Sequence, residues 1–378
     1  MKILTNGRIV TDGEVRTGLD ICIENGKISA LVPAGTVPGE KTDLCGLYIA
    51  PGFIDIHCHG GGGAEFIDGT PEAFRTAAAL HAEHGTRVLY PTISATDFDT
   101  MVRVLETFRE IQNDCALYMP GVHLEGPYLA LEMCGGQAPE IIRPIDQNEY
   151  TELLGRFGDI IARWDYAPEK DPDNAFLQAL NEKGIVSAAA HTAAEYSDML
   201  RALDGGCRIV THLYSCTSTV TRHKGFRHLG VIESTFLLDD LFAETIADGR
   251  HLPPELLRMI VKIKGPDRVC FITDALRPGG AGKAQEGKVY TDCPVPFVIE
   301  DGVAKLLDRS AFAGSIATTD LLLQRSKEAG IPLPDAVKML TETPARAMGL
   351  SGFGRIAAGY NACFTLFDDD LQVHDMGI

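Results

Sequence analysis

Two histidines one residue apart, His57 and His59 in Pro51-Gly52-Phe53-Ile54-Asp55-Ile56-His57-Cys58-His59-Gly60, are the first residues whose spacing could do chemistry. Phe53 to Ile56 reads as a short buried strand, and Gly60 to Gly63 end it abruptly. Alternation along a strand puts residues i and i+2 on one face. Both imidazoles therefore leave the strand end together, with little side-chain bulk after them. That arrangement suits two nitrogen ligands for a borderline metal at an open site. Taken alone the pair fits a metal and a pair of hydrogen-bonded histidines equally well, and the residues downstream decide between them.

Four further segments end in residues of ligand type. His123 and Glu125 close the apolar run in Gly121-Val122-His123-Leu124-Glu125-Gly126-Pro127. His191 follows Ala188-Ala189-Ala190, His212 sits in Thr211-His212-Leu213-Tyr214, and Asp274 sits in Ile272-Thr273-Asp274-Ala275. One strand-end histidine is usually a satisfied core residue. Five segments delivering such residues at the same end point to a metal site with His57, His59, Glu125, His191 and His212 as ligands. Neutral nitrogens with one carboxylate that can bridge favour zinc, iron(II), manganese or cobalt, one or two ions per chain, over magnesium or calcium. A bound ion of this kind makes water acidic enough to ionise near neutral pH. Asp274 is placed to take the water's proton and return it to a leaving group. The chemistry so assembled is metal-assisted hydrolysis of an amide-like bond.

The elements that must position these residues follow from hydrophobic pattern. Strands are expected at Phe53–Ile56, Val88–Pro91, Met119–Leu124, Ile160–Trp164, Ile185–Ala190, Arg208–Leu213, Phe242–Ile246 and Val269–Thr273. Helical segments such as Thr100–Ile111, Ala175–Lys183 and Glu255–Lys264 separate them. Thr70-Pro71 caps another helix, with Thr at N-cap and Pro at N1, that ends near Gly85. Eight strands in repeated βα units predict an eight-stranded β/α barrel, whose catalytic groups sit at the C-terminal ends of the strands. This barrel is expected over residues 51–350. Residues 1–50 are strand-like, with Asn25-Gly26 as a type I′ turn, and strand signals return at Cys363–Phe367. Segments 1–50 and 351–378 are expected to pair into one small β domain. Residues 285–312 interrupt the pattern with hairpin-like alternation around Glu300-Asp301-Gly302, an insertion over the barrel mouth.

Composition bounds the partners. The chain has 378 residues, 45% hydrophobic and 23% charged, ordinary for a soluble globular enzyme. Its formal net charge of −18 argues against a nucleic-acid surface. Ten scattered cysteines without Cys-x-x-Cys spacing read as reduced residues of a cytoplasmic protein. No signal segment and no apolar run of spanning length is evident, so neither export nor membrane insertion is expected. Cys58 should face away from its neighbours and pack. His81 and His84, on a helix away from the strand ends, are expected at the surface.

In so acidic a chain, basic clusters stand out. Thr221-Arg222-His223-Lys224-Gly225-Phe226-Arg227-His228 follows the sixth strand and would create a local positive field suited to phosphate. His251, in Ala247-Asp248-Gly249-Arg250-His251, faces the same mouth. Gly314-Ser315 is expected to open the last helix and lend backbone donors to a ligand.

Together these residues resemble the amidohydrolase superfamily, and within it the N-acetylglucosamine-6-phosphate deacetylases. The similar segments are Pro51–Gly60, His123–Pro127, Thr211–Tyr214, Ala247–His251, Thr273–Ala275, Ala313–Ser315 and Pro344-Ala345-Arg346-Ala347, in family order across the chain. The resemblance implies a distorted barrel with a small β-sandwich built from both termini, and a homodimer in which an arginine reaches the neighbouring subunit. It implies metal positions at His57, His59, Glu125, His191 and His212, a catalytic aspartate at Asp274, and a phosphorylated amino-sugar substrate. Substrate contacts are expected from Gln137, Ser215, Cys216, Arg222, Arg227, His251 and Phe312. Three departures stand out. Gln137 occupies a position that is usually histidine, Ser215-Cys216-Thr217 replaces Asn-Ala-Met, and the subunit-crossing arginine has no unique counterpart among Arg222, Lys224 and Arg227. These departures favour, as the alternative, an amidohydrolase of the same fold acting on a different N-acyl substrate, an unphosphorylated amino sugar included.

Overall fold

The computed structural model describes residues 1–281 and 285–377. Eight parallel strands form one sheet in chain order: β1 Phe53–Cys58, β2 Thr86–Ile93, β3 Val122–Glu125, β4 Ile161–Tyr166, β5 Val186–Ala189, β6 Ile209–Val210, β7 Phe242–Ile246 and β8 Val269–Ile272. Its two edge strands meet just past their ends. The Asp274 amide donates to the His57 carbonyl at 2.9 Å, and the His59 amide to Ala275 at 2.9 Å. The sheet is thus a barrel whose closing seam lies at the site. Helices α1 Pro71–Glu83, α2 Phe98–Ile111, α3 Gln147–Phe157, α4 Ala175–Glu182, α5 Tyr196–Gly205, α6 Val231–Leu237, α7 Pro254–Lys264 and α8 Thr319–Glu328 follow the strands. Apolar side chains on their inner faces, such as Phe74, Val104, Phe108, Leu153, Phe176 and Leu257, pack on the outward residues of the strands. The Thr70 hydroxyl accepts from the Ala73 amide and Pro71 occupies N1, as the sequence predicts.

Strand β1 does not alternate evenly. Leu89 lies opposite Asp55 and Pro91 opposite Cys58, so β1 carries one extra residue between them. Such a bulge re-aims the side chains beyond it. Ile54 and Ile56 join Val88, Ala188, Ile209 and Ile272 in one apolar cluster, yet the His57 imidazole also turns toward the mouth.

Chain termini build the second layer. One sheet joins Lys2–Thr5, Leu19–Glu24, Lys27–Pro33 and Glu40–Asp43. The other joins Arg8–Thr11, Glu14–Arg16, Tyr48–Pro51, Phe364–Phe367 and Val373–His374. Leu4, Ile21 and Ile28 of the first pack against Ile9, Ile49, Phe364 and Leu366 of the second, a small β-sandwich core. Asn25 and Gly26 have φ of 52° and 73°, as a type I′ hairpin requires. Ile378 lies outside the described residues.

Two expectations are corrected. His81 is fully buried, not superficial: α1 lies against the glycine-rich strand end, where Gly60 and Gly61 have no side chains to hold it away. The ring contacts the Gly60 carbonyl at 3.0 Å and the packed Cys58 thiol at 3.1 Å, and burial pushes its pKa down to about 4. His84 is half-buried and pairs with Asp320 of α8 at 2.9 Å. Gly314-Ser315 does not open a helix either. Gly314 ends the strand Phe312–Gly314, α8 begins at Thr319, and the Ser315 hydroxyl is used up on the Thr273 carbonyl. The strands Val289–Tyr290, Phe297–Glu300, Val303–Leu306 and Phe312–Gly314 make an antiparallel sheet, the expected hairpin insertion.

Candidate active site

Six side chains converge where the barrel strands end. The His57 and His59 Nε2 atoms are 3.2 Å apart, and the His191 and His212 Nε2 atoms are also 3.2 Å apart. Glu125 lies between the pairs. Its Oε1 is 3.1 Å from both His191 and His212 and 3.6 Å from His57, while Oε2 is 3.4 Å from His59. His57, His59 and Glu125 form one compact donor set, and Glu125, His191 and His212 a second. Asp274 completes the ring, with Oδ1 3.2 Å from His59 and 3.4 Å from His57.

The hydrogen bonds on the far side of two rings test whether this set fits a cation. His191 Nδ1 is 2.8 Å from the Met133 carbonyl, and His212 Nδ1 is 3.0 Å from the Ser215 carbonyl. A carbonyl only accepts, so each Nδ1 carries a proton and each ring turns inward the one nitrogen, Nε2, that is left to take a cation or a second proton. With both rings neutral, two lone pairs and a carboxylate oxygen would face one another at about 3 Å, a repulsive arrangement that positive charge, as a cation or as a second proton, resolves. Electrostatics agree. Burial would lower the pKa of His59, but the carboxylates of Asp274 and Glu125 outweigh it and push the ring up to about 10. Burial would likewise raise Glu125, and the surrounding histidines hold it well below the ordinary range. The pocket calls for positive charge, and its nitrogen-rich donors fit a transition ion.

Backbone geometry delivers these groups. His191, His212 and Asp274 have φ of 43°, 30° and 49°, in the left-handed region where non-glycine residues are uncommon. Each lies two residues beyond the last residue of its strand, and β6 is only Ile209–Val210 against the longer expected run. Strain of this kind persists where surrounding structure over-determines it. Here the buried Asp55 carboxylate accepts from the Thr273 hydroxyl and amide and from the His57 amide, locking the seam beside Asp274.

A cavity of about 360 Å³ opens above the six residues. Of the expected substrate contacts, Gln137, Ser215, Cys216, His251 and Phe312 line it. Gln137 is bound on two sides: Oε1 accepts from the Ala95 amide at 2.9 Å, which directs Nε2 to donate to Glu125 Oε2 at 2.5 Å. One amide hydrogen remains for a ligand. His251 is oriented through Nδ1 by Asp248 at 2.8 Å, and its ring meets Phe312 edge-on. The insertion supplies Cys293, Val295 and Phe297 to the wall. Arg222 and Arg227 are elsewhere. They sit opposite each other on an exposed hairpin, Thr221–His223 with Phe226–His228, whose Phe226 is 75% exposed. Among the described residues, no lysine or arginine lines the cavity of this chain.

Sequence reasoning missed what lies beneath the site. Arg163, Asp165 and Glu244 are fully buried inside the barrel. Their signal was legible: charged residues at alternate positions of Arg163-Trp164-Asp165 and within Phe242–Ile246 mark an inward face that is not apolar. Ser94, whose hydroxyl is 3.0 Å from His59 Nδ1, was also missed and had no distinguishing signal.

A β/α barrel carrying this donor set and a neighbouring carboxylate at its mouth defines a metal-dependent hydrolase. The chain belongs to the amidohydrolase family, whose sequence profile matches residues 48–376. It is 29% identical to the N-acetylglucosamine-6-phosphate deacetylase of Haemophilus influenzae, covering 98% of this chain and 96% of that one. It is 27% identical to the N-acetylgalactosamine-6-phosphate deacetylase of a Shewanella species, covering 99% and 93%. Among solved structures it resembles a mutant N-acetyl-D-glucosamine-6-phosphate deacetylase of Mycobacterium smegmatis in complex with N-acetyl-D-glucosamine-6-phosphate. The TM-score is 0.88 at 29% identity, over 98% of this chain and 96% of that one.

Proposed function

We propose that this protein removes the acetyl group of N-acetylglucosamine 6-phosphate, giving glucosamine 6-phosphate and acetate. The observation that carries the reading is the pair of donor sets sharing Glu125, with Asp274 within 3.4 Å of both His57 and His59. The near full-length likeness to deacetylases of phosphorylated amino sugars supports the substrate class. His57, His59, Glu125, His191 and His212 would hold one or two divalent ions, zinc first and iron, manganese or cobalt after it. When bound, such an ion polarises an acyl carbonyl and acidifies water.

This chain's own residues do the rest. Burial would raise Asp274, but the facing His57 and His59 hold it below the ordinary carboxylate range, so it is anionic at neutral pH. It takes a proton from the attacking water as oxygen bonds to the acyl carbon. It then delivers that proton to the amine nitrogen as the C–N bond breaks. His251 and the free amide hydrogen of Gln137 bind and orient the sugar, with Phe312 beneath it. Ser215 and Cys216 border the end of the pocket where the phosphate lies. Among the described residues no lysine or arginine lines the cavity, and we assign the phosphate contact to a second copy: the protein is a homodimer, and its exposed hairpin brings Arg222 or Arg227 to the neighbouring site. A cytoplasmic location fits the ten free cysteines, and no helix among the described residues is long and apolar enough to cross a membrane.

A second reading, hydrolysis of a related N-acyl substrate, is favoured by Gln137, which is already bonded to Glu125 and cannot carry a proton. The likeness to an N-acetylgalactosamine-6-phosphate deacetylase makes the 4-epimer its first candidate. Acetate release from N-acetylglucosamine 6-phosphate, N-acetylgalactosamine 6-phosphate and free N-acetylglucosamine decides between the readings. Fastest release from the first supports the proposal, and preference for either of the others replaces it.

A further inference from the structure

We infer that Glu244 is a positioning residue for His57, and that through His57 it sets the affinity of the ion site shared with His59. The inference rests on the metal-site reading above. His57 turns Nε2 toward Glu125 and Asp274, so Nδ1 is its far end. That Nδ1 is buried and makes no hydrogen bond within ordinary range. On that side lies Glu244 Oε2, at 3.6 Å. A neutral imidazole has a single N–H. A carboxylate facing Nδ1 selects the tautomer that carries the proton there and leaves the Nε2 lone pair for a cation.

Glu244 cannot swing away to serve as anything else. The Arg163 guanidinium grips both of its oxygens, with Nη2 to Oε2 at 2.9 Å and Nη1 to Oε1. Arg163 is fixed in turn by Asp165 at 2.7 and 3.0 Å and by the Thr211 hydroxyl at 2.8 Å. Asp165 also faces His123 Nε2 at 3.0 Å. All of these side chains are fully buried. The network therefore holds two carboxylates and one guanidinium. One carboxylate neutralises Arg163, and the other is a surplus negative charge in the barrel interior. An unpaired buried charge is strongly unfavourable, and the cation that offsets it is the one held by His57. A core ion pair present only for packing needs no second carboxylate. Carboxylates behind metal-bound histidines change metal affinity by about 10–100-fold when removed.

The test uses the full chain stripped of metal and titrated with zinc against a chromophoric chelator, with metal content measured in parallel. Glu244→Gln keeps the shape, and it leaves Arg163 paired with Asp165, so the core stays neutral. The expected result is a loss of about 10–100-fold in affinity for one ion, with the ion bound by His191 and His212 unchanged. In a His57→Ala background, Glu244→Gln should change nothing further. Thermal unfolding of the stripped proteins checks folding. If Glu244→Gln does not fold, Glu244→Asp, which retains the charge but withdraws it from His57, should give the same one-site loss. Wild-type affinity for both ions in the variant overturns the inference, as does an equal loss with and without His57. A wild-type protein that takes up no ion overturns the metal reading itself.

Discussion

His191 and His212 hold their Nε2 atoms 3.2 Å apart, facing each other, while each Nδ1 is committed to a carbonyl. A cation belongs there. Purified protein is expected to carry one to two zinc, iron, manganese or cobalt ions per chain, matching the two donor sets, and chelation should abolish hydrolysis. His57→Ala with His59→Ala should remove mainly one ion, and His212→Ala the other. Elemental analysis of active protein checks this, and active protein free of these metals would refute it.

Asp274→Asn should retain metal and fold while turnover drops by about 10²–10⁴, the usual worth of a positioned acid–base group. Asparagine preserves size but cannot take a proton. A metal-replete Asp274→Asn protein with near-normal turnover would assign the proton transfer to another residue.

Gln137 is wedged between the Ala95 amide and Glu125, so its loss should be felt first by the shared carboxylate. Gln137→Met, similar in size without the amide, should weaken metal retention and lower kcat by about tenfold or more. It should also raise KM if the free amide hydrogen binds sugar. Gln137→His restores a group that can carry a proton and should speed hydrolysis of N-acetylglucosamine 6-phosphate. Metal content measured beside kcat and KM separates the two roles.

If the hairpin supplies the phosphate contact from a second chain, the phosphorylated sugar should be cleaved far faster than the free one. A hydrogen bond to a charged group is worth about 1.5–3 kcal/mol, so losing one contact costs roughly tenfold to a hundredfold. Arg222→Ala and Arg227→Ala should shrink that preference, the larger effect marking the residue in contact. Mixed dimers give the sharper reading. Co-assembling an Arg-deficient chain with an Asp274→Asn chain should leave half of the sites impaired in both respects and half intact. Rates that follow each chain's own arginine would place the contact within one subunit.

His84 pairs with Asp320 across the junction of α1 and α8, and this hydrogen bond raises the ring's pKa above its ordinary value of 6.5, against a smaller effect of burial. A group whose native pKa is raised stabilises the fold fully below the unfolded pKa and loses that contribution as pH rises through the native one. His84→Gln should therefore cost stability at about pH 5, below the unfolded value, and progressively less at alkaline pH as the native ring loses its proton. Because the pair is partly exposed, the difference should stay at or below about 1 kcal/mol. Urea denaturation of both proteins at acid and at alkaline pH checks it, and a difference independent of pH would show that the pair is not ionic.

Much of this molecule could be read along the chain. The eight strands, the capped helix after Thr70, the hairpin insertion and the ligand-type residues at strand ends all follow from local pattern, because alternation, capping and turn chemistry act over a few residues. Position at the C-terminal ends of the strands was enough to forecast that His57, His59, Glu125, His191, His212 and Asp274 would meet. Tertiary structure decided what pattern cannot encode. Burial of His81 depends on α1 lying against a glycine-only strand end. The tautomers of His191 and His212 depend on carbonyls at Met133 and Ser215 that only the folded loops bring near. The bulge in β1 and the Arg163–Glu244 bridge behind His57 join separate strands, and Gln137 is held in a loop between Glu125 and the Ala95 amide. Such contacts are set by the closure of the barrel, which aligns many short segments at once, and not by any one segment's own preferences.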